Sequence, residues 1–161
     1  MSLIVYHGTN IEIKHPDCHF GREAVDFGQG FYVTDVKEQA TEWARRIADN
    51  RGGSPIINRY TLLREELFKV ASAKLFTSYN EEWLNFVVRN RQLKTVEKYD
   101  YIEGGVANDR VIDSIRLYML GLLTVDVTLQ KLQMQKPNKQ ICLRSQELTD
   151  KYLIFDGTEE I

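Results

Sequence analysis

The run Asp26-Phe27-Gly28-Gln29-Gly30-Phe31-Tyr32-Val33-Thr34 limits this chain more than any other stretch. Glycines two apart permit backbone angles closed to other residues and a tight entry into a strand. Successive strand residues point to opposite faces, so Phe31 and Tyr32 are divided between them. One ring can fill a core while the other is presented to a flat ligand, on which an aromatic face stacks well. Taken alone, the run reads first as a β-bulge followed by core aromatics. A shorter run precedes it, Leu3-Ile4-Val5-Tyr6-His7-Gly8-Thr9, apolar and β-branched like a buried strand. It delivers His7, which donates or accepts at neutral pH without a fixed charge. Gly8 follows and lets a backbone N–H and C=O approach a flat ligand closely. Taken alone, that pair reads first as a core histidine and a turn glycine.

Between the two runs lies a polar stretch with Pro16, Asp17 and Gly21, a loop long enough to suggest a function of its own. After the second strand, Thr34-Asp35 is expected to cap a helix over 37–48, ended by Arg51-Gly52-Gly53-Ser54-Pro55. A strand is expected over 56–63, with a turn at Arg64-Glu65-Glu66. Asn80 caps an aromatic-rich helix, and Tyr99 to Gly104 is a strand. Helices follow over 111–119 and 124–134, the second stopped by Pro137. Residues 140–144 form a strand, Ser145 opens a helical turn, and Tyr152 to Phe155 is a last strand. Strands mixed with segregated helices make an α+β fold, and 161 residues suit one domain over 1–161.

Composition narrows the function classes. A net charge of −2 gives no general footprint for nucleic acid or an anionic membrane surface. No apolar run approaches membrane-spanning length, and no signal peptide is evident. Cys18 and Cys142 are far apart without CxxC spacing, which suits a reduced, cytoplasmic protein. Cys18 and His19 lack the partners for a zinc site, so no metal is expected. The absence of GxGxxG after a strand and of GxxxxGK[ST] excludes a Rossmann fingerprint and a P-loop.

The order Tyr6-His7-Gly8-Thr9, then Gly28-x-Gly30-Phe31-Tyr32-x-Thr34, then a late strand opening Asn138-Lys139-Gln140, resembles the ADP-ribosyltransferase superfamily. The resemblance is to its His-Tyr-Glu branch, which includes the poly(ADP-ribose) polymerase catalytic domains. More narrowly it is similar to a bacterial family of uncharacterised domains typified by Tyr-His-Gly-Thr, Asp-Phe-Gly-x-Gly-Phe-Tyr and a Gly-x-x-Ala-x-Asp stretch, here Gly104 to Asp109. It spans nearly the whole chain. It implies a split β-sheet core with flanking helices, and NAD as the dinucleotide. His7 would hydrogen-bond the adenosine ribose, and Gly8 backbone groups would hold the nicotinamide carboxamide. Tyr32 would stack on nicotinamide with Trp43 opposite, and Thr9, Gly30 and Phe31 would stand around the same ligand. The loop over 10–25 would cover the dinucleotide, with Arg22 meeting the pyrophosphate.

One departure bears on chemistry. The transferase branch carries a Glu on the late strand, where a carboxylate stabilises the positive charge that develops on the ribose. Here the matching position is Gln140, with Lys139 one register step away. A full charge at contact distance is worth about 4 kcal/mol at an effective dielectric near 20, and its loss about 10³-fold in rate. Glu103 and Asp109 are other candidate sources of charge. Ala40 stands where related enzymes carry a Ser, a second departure.

The resemblance therefore implies His7, Tyr32 and Gln140 as catalytic residues of a mono-ADP-ribosyltransferase. It would move ADP-ribose from NAD⁺ to a protein or nucleic-acid acceptor, and by analogy would be toxin-like with a small antagonist protein. The competing expectation is a catalytically inactive module that binds NAD, ADP-ribose or a protein. An RNA 2′-phosphotransferase is the third and least supported. Gln140→Glu is expected to keep the fold and raise NAD⁺ turnover.

Overall fold

The computed structural model describes residues 2–94, 97–134 and 138–161; Pro137 lies outside them. The elements run β1 (Leu3–Thr9), β2 (Phe31–Val33), α1 (Lys37–Arg51), β3 (Ile56–Leu62), α2 (Arg64–Phe68), β4 (Ala73–Leu75), α3 (Glu81–Arg91), β5 (Tyr101–Gly105), α4 (Asp109–Met119), α5 (Val125–Gln133), β6 (Lys139–Leu143), α6 (Gln146–Tyr152) and β7 (Leu153–Glu160). The fold is α+β, with two sheets among the described residues. One has the order β1-β3-β7 and is antiparallel; the other has the order β2-β6-β5-β4, antiparallel except for the edge pair β4–β5. A single bridge between Tyr6 and Thr34 joins β1 to the end of β2.

Strand alternation explains the layers. Val5, Tyr60 and Leu62 from the first sheet meet Phe31, Val33, Tyr101, Ile141 and Leu143 from the second, forming one core between the sheets. The opposite face of the second sheet carries Ile102 and Cys142, covered by Trp83, Leu84, Phe86 and Val87 of α3 and Val111, Ile112 and Ile115 of α4. Helix α1 lies against β1, where a methyl added to Gly8 would stand 1.8 Å from the Ala40 carbonyl oxygen. Only a residue without a side chain permits that approach.

Several local expectations are corrected. The Thr34-Asp35 pair does not cap α1: the N-cap is Val36, without a side-chain cap bond. Thr34 Oγ1 accepts from the Val36 amide at 3.1 Å but spends its own proton on the Lys139 carbonyl at 2.7 Å. Arg64-Glu65-Glu66 is the start of helix α2 rather than a turn. Asn80 and Ser145 do stand at the starts of α3 and α6, and Thr124 caps α5, each accepting from the backbone three residues on. No described helix is long and apolar enough to cross a membrane.

Candidate functional site

The site is built where β1 and β2 part. Tyr6 donates to Thr34 O at 2.8 Å and accepts from Thr34 N at 2.9 Å. Strand residues two apart turn their N–H and C=O to the same edge. The Gly8 amide and carbonyl are therefore turned toward β2, beyond the last bond that joins the strands. His7, one residue earlier, points to the other side of the strand. Its ring stacks on Phe31 with centroids 4.3 Å apart, and Nδ1 lies 2.6 Å from the Tyr32 carbonyl oxygen. A carbonyl only accepts, so the proton sits on Nδ1 and Nε2 keeps its lone pair. Burial lowers the His7 pKa, while the bond to the Tyr32 carbonyl raises it by less. The imidazole is held neutral, with Nε2 an acceptor.

Phe31 and Tyr32 are divided between faces. Phe31 is buried between the sheets behind His7 and meets Tyr60 edge-on. Tyr32 faces the helical side and is half-buried. Its hydroxyl donates to Gly28 O at 2.6 Å and accepts from Phe27 N at 3.1 Å. Burial raises the phenol pKa well above its ordinary value, with smaller contributions from Cys142 and Asp26. The hydroxyl is thus spent on the loop that precedes β2, and the half-buried ring stacks on Phe27 with centroids 6.5 Å apart. Gly28 has φ +81°, the left-handed region, which makes glycine the residue for that turn. The freedom of Gly30 serves β6: a methyl there would stand 2.5 Å from Cys142 Sγ.

Strand β6 enters through its register with β2, in which Tyr32 opposes Cys142 and Val33 opposes Ile141. Gln140 is then a diagonal neighbour of Tyr32 on the same face, a placement that puts such residues about 7–8 Å apart. Lys139 takes the other face, where Nζ is 3.2 Å from Glu103 and 3.6 Å from Asp35. Glu103 opposes Ile141, not Gln140, and is held by Arg64 at 2.7 Å. It supplies no charge on the Gln140 face. The Asp109 side chain lies outside the described residues. Both cysteines are free and buried; burial raises the Cys18 thiol pKa and pushes Cys142 up to about 12, which keeps the thiols protonated.

The loop between β1 and β2 is laced down beside His7. Asn58, which opposes His7, accepts from Ile13 N at 2.8 Å and donates to Ile11 O at 3.0 Å; Tyr60 donates to Ile13 O at 2.6 Å. Farther on, Gln146 of α6 holds Cys18 N and Pro16 O, both at 2.8 Å. Arg22 is exposed. Thr9 is buried, with its hydroxyl 3.4 Å from Asn10 Oδ1. Trp43 is half-buried on α1, three residues beyond Ala40. His7 is thus brought together with Phe31 on one face and Tyr32 with Gln140 on the other, on neighbouring strands; Trp43 stands on α1, and Arg22 is at the surface. A depression of about 510 Å³ lies elsewhere, lined by His15, Asp17, His19 and Asp150. Among the described residues no group of His, Cys, Asp and Glu is arranged to hold a metal ion.

Sequence reasoning overlooked the partner of Gln140. Nε2 donates to Asp26 Oδ2 at 3.0 Å, and Asp26 also receives Arg91 and the Ala107 amide. Asp26 stands in the glycine run, but nothing local announces a partner 114 residues away.

No curated protein and no solved structure matches this chain. One family model matches residues 3–155, nearly the whole length, so the chain belongs to DUF3990, a family described as proteins of unknown function.

Proposed function

We propose that this chain binds NAD⁺ where β1 and β2 part and acts as a mono-ADP-ribosyltransferase with a split-sheet core. The observation that carries the reading is the placement of His7, Tyr32 and Gln140 on three neighbouring strands, with the His7 ring against the Tyr32 carbonyl and the Gly8 amide and carbonyl turned toward β2. Gly8 offers an N–H and a C=O to a carboxamide, which needs one acceptor and one donor. His7 Nε2 is an acceptor for a ribose hydroxyl, and the Tyr32 ring is a stacking surface for nicotinamide. In the reaction the bond between ribose C1′ and the nicotinamide nitrogen breaks and its electron pair stays on nicotinamide. The acceptor's lone pair closes on C1′ and its proton is released. The chain's residues orient the ribose and exclude water. Two buried thiols suit a reducing compartment such as the cytoplasm. The partners are a macromolecular acceptor and, by analogy with toxin-like relatives, a small antagonist protein.

A second reading, a module that binds NAD⁺ or ADP-ribose without turnover, is favoured by one observation: Gln140 is neutral and buried where the transferase branch carries a carboxylate. Calorimetric titration of NAD⁺ combined with chromatographic assay of released nicotinamide separates the two. Binding with release, both lost in Tyr32→Ala, supports the transferase. Binding without release supports the module, and no binding rejects both.

A further inference from the structure

Asp26 and Gln140 are both buried, with 6% and 4% of their surface exposed. Gln140 Nε2 lies 3.0 Å from Asp26 Oδ2 and 3.4 Å from the Gly105 carbonyl oxygen. Both partners are acceptors, so this end of the amide is the NH₂, and its two protons are both used. The other end, Oε1, takes no hydrogen bond from any described residue. Gln140 can therefore offer a ligand an acceptor and no donor, which is half of what a free glutamine side chain offers.

Asp26 is itself held on every side. Oδ1 receives Arg91 Nε at 2.9 Å and Nη2 at 2.5 Å, and Oδ2 receives the Ala107 amide at 3.1 Å together with Gln140. Four donors fill the acceptor sites of the carboxylate. The Asp26 carbonyl accepts from Asn90 Nδ2 at 3.2 Å, which fixes the backbone as well. Donation to a carboxylate also strengthens the opposite end of an amide as an acceptor, because linked hydrogen bonds polarise one another.

We propose that Asp26 is a positioning residue that commits Gln140 to presenting Oε1, so that β6 offers the site a neutral hydrogen-bond acceptor for a ribose hydroxyl. The assignment of the ligand rests on the dinucleotide reading above; the orientation of the amide does not. Asp26→Asn places an amide NH₂ opposite Nε2 and removes the constraint.

The test uses the full chain, with NAD⁺ titrated by calorimetry and the Gln140 side-chain NH₂ followed by ¹⁵N NMR. Asp26→Asn is expected to weaken NAD⁺ about tenfold, the scale of one lost hydrogen bond. The same change in a Gln140→Ala background is expected to leave affinity within about twofold, because residues acting through one another are not additive. The Gln140 NH₂ signals should be protected from exchange in the wild type and lose that protection in Asp26→Asn. An equal loss of affinity in both backgrounds, or unchanged NH₂ signals with NAD⁺ bound normally, overturns the positioning role. Failure of the wild type to bind NAD⁺ while the NH₂ signals respond as expected overturns the ligand assigned to Oε1. Should Asp26→Asn fail to fold, Arg91→Lys loosens the same carboxylate, and unchanged affinity and signals there overturn the proposal equally.

Discussion

Gly8 and Ala40 meet backbone to backbone: a Cβ on Gly8 would lie 1.8 Å from the Ala40 carbonyl oxygen and 2.8 Å from the Ala44 amide nitrogen. No rotamer relieves such a clash, since backbone atoms form it. Gly8→Ala should push α1 off β1 and destabilise the protein by at least the usual overpacking penalty of about 1–3 kcal/mol. Urea unfolding measures it, and a wild-type midpoint would show that α1 is not seated as described.

Tyr32→Phe and Tyr32→Ala separate the hydroxyl from the ring. Phe keeps the stacking surface but orphans the Phe27 amide and the Gly28 carbonyl, at about 1–3 kcal/mol. NAD⁺ affinity should survive in Phe and vanish in Ala. Hydrogen exchange at residues 26–30 should accelerate in both variants, and calorimetry reads the affinities.

The depressed His7 pKa fixes the sign of a pH effect. The unfolded chain takes up a proton near the ordinary value of about 6.5, while the folded chain resists it. The His7 contribution is therefore intact above about pH 6.5 and is lost as pH falls from there to the lowered folded value. The difference in stability between wild type and His7→Asn, taken from denaturant midpoints across pH 5–8, should shrink in that direction. A flat difference would mean that the imidazole is not desolvated.

Gln140→Glu no longer reads as a simple restoration of charge. It would set a second carboxylate about 3.0 Å from Asp26 in a buried site. Like charges that close raise one folded pKa strongly. The variant should be stable at low pH and lose stability as pH rises from about 4.3, the unfolded Glu value, through the raised folded value. Combining Asp26→Asn with Gln140→Glu should flatten the profile, because the amide introduced by the first change can donate to the new carboxylate. Thermal melts across pH compare the two, and NAD⁺ turnover should rise only in the double variant.

The elements legible in the sequence were those with a short apolar run, strong periodicity or a capping side chain: β1, β2, β3, β5, β6, α1, α3, α4, α5 and α6. Helix α2 was missed because a five-residue helix has no room for a periodic face. Strand β4 is three residues long with Ala73 and Leu75 exposed, so its pattern carries no core signal. Strand β7 continues past Phe155 through Asp156-Gly157-Thr158-Glu159-Glu160, a polar run unlike a strand in isolation. Pairing with β3 imposes the conformation, and charges suit a sheet edge. In the site, His7, Gly8 and Tyr32 stand in short motifs and could be singled out. The Asp26–Gln140 bond could not, because a pairing across that much chain leaves no local pattern.

Asp26 has a consequence for how the protein assembles. Its carboxylate bonds reach residues 65, 81 and 114 positions along the chain. They can form only after α3, the exit of β5 and strand β6 have reached their places, since each long-range contact waits on chain closure. The loop that builds the candidate site should therefore be absent from the folding transition state. Asp26→Asn should then speed unfolding and leave the folding rate nearly unchanged, a pattern that a chevron plot resolves. The lifetime of the native state, more than the rate of reaching it, would be set by the same carboxylate that orients Gln140.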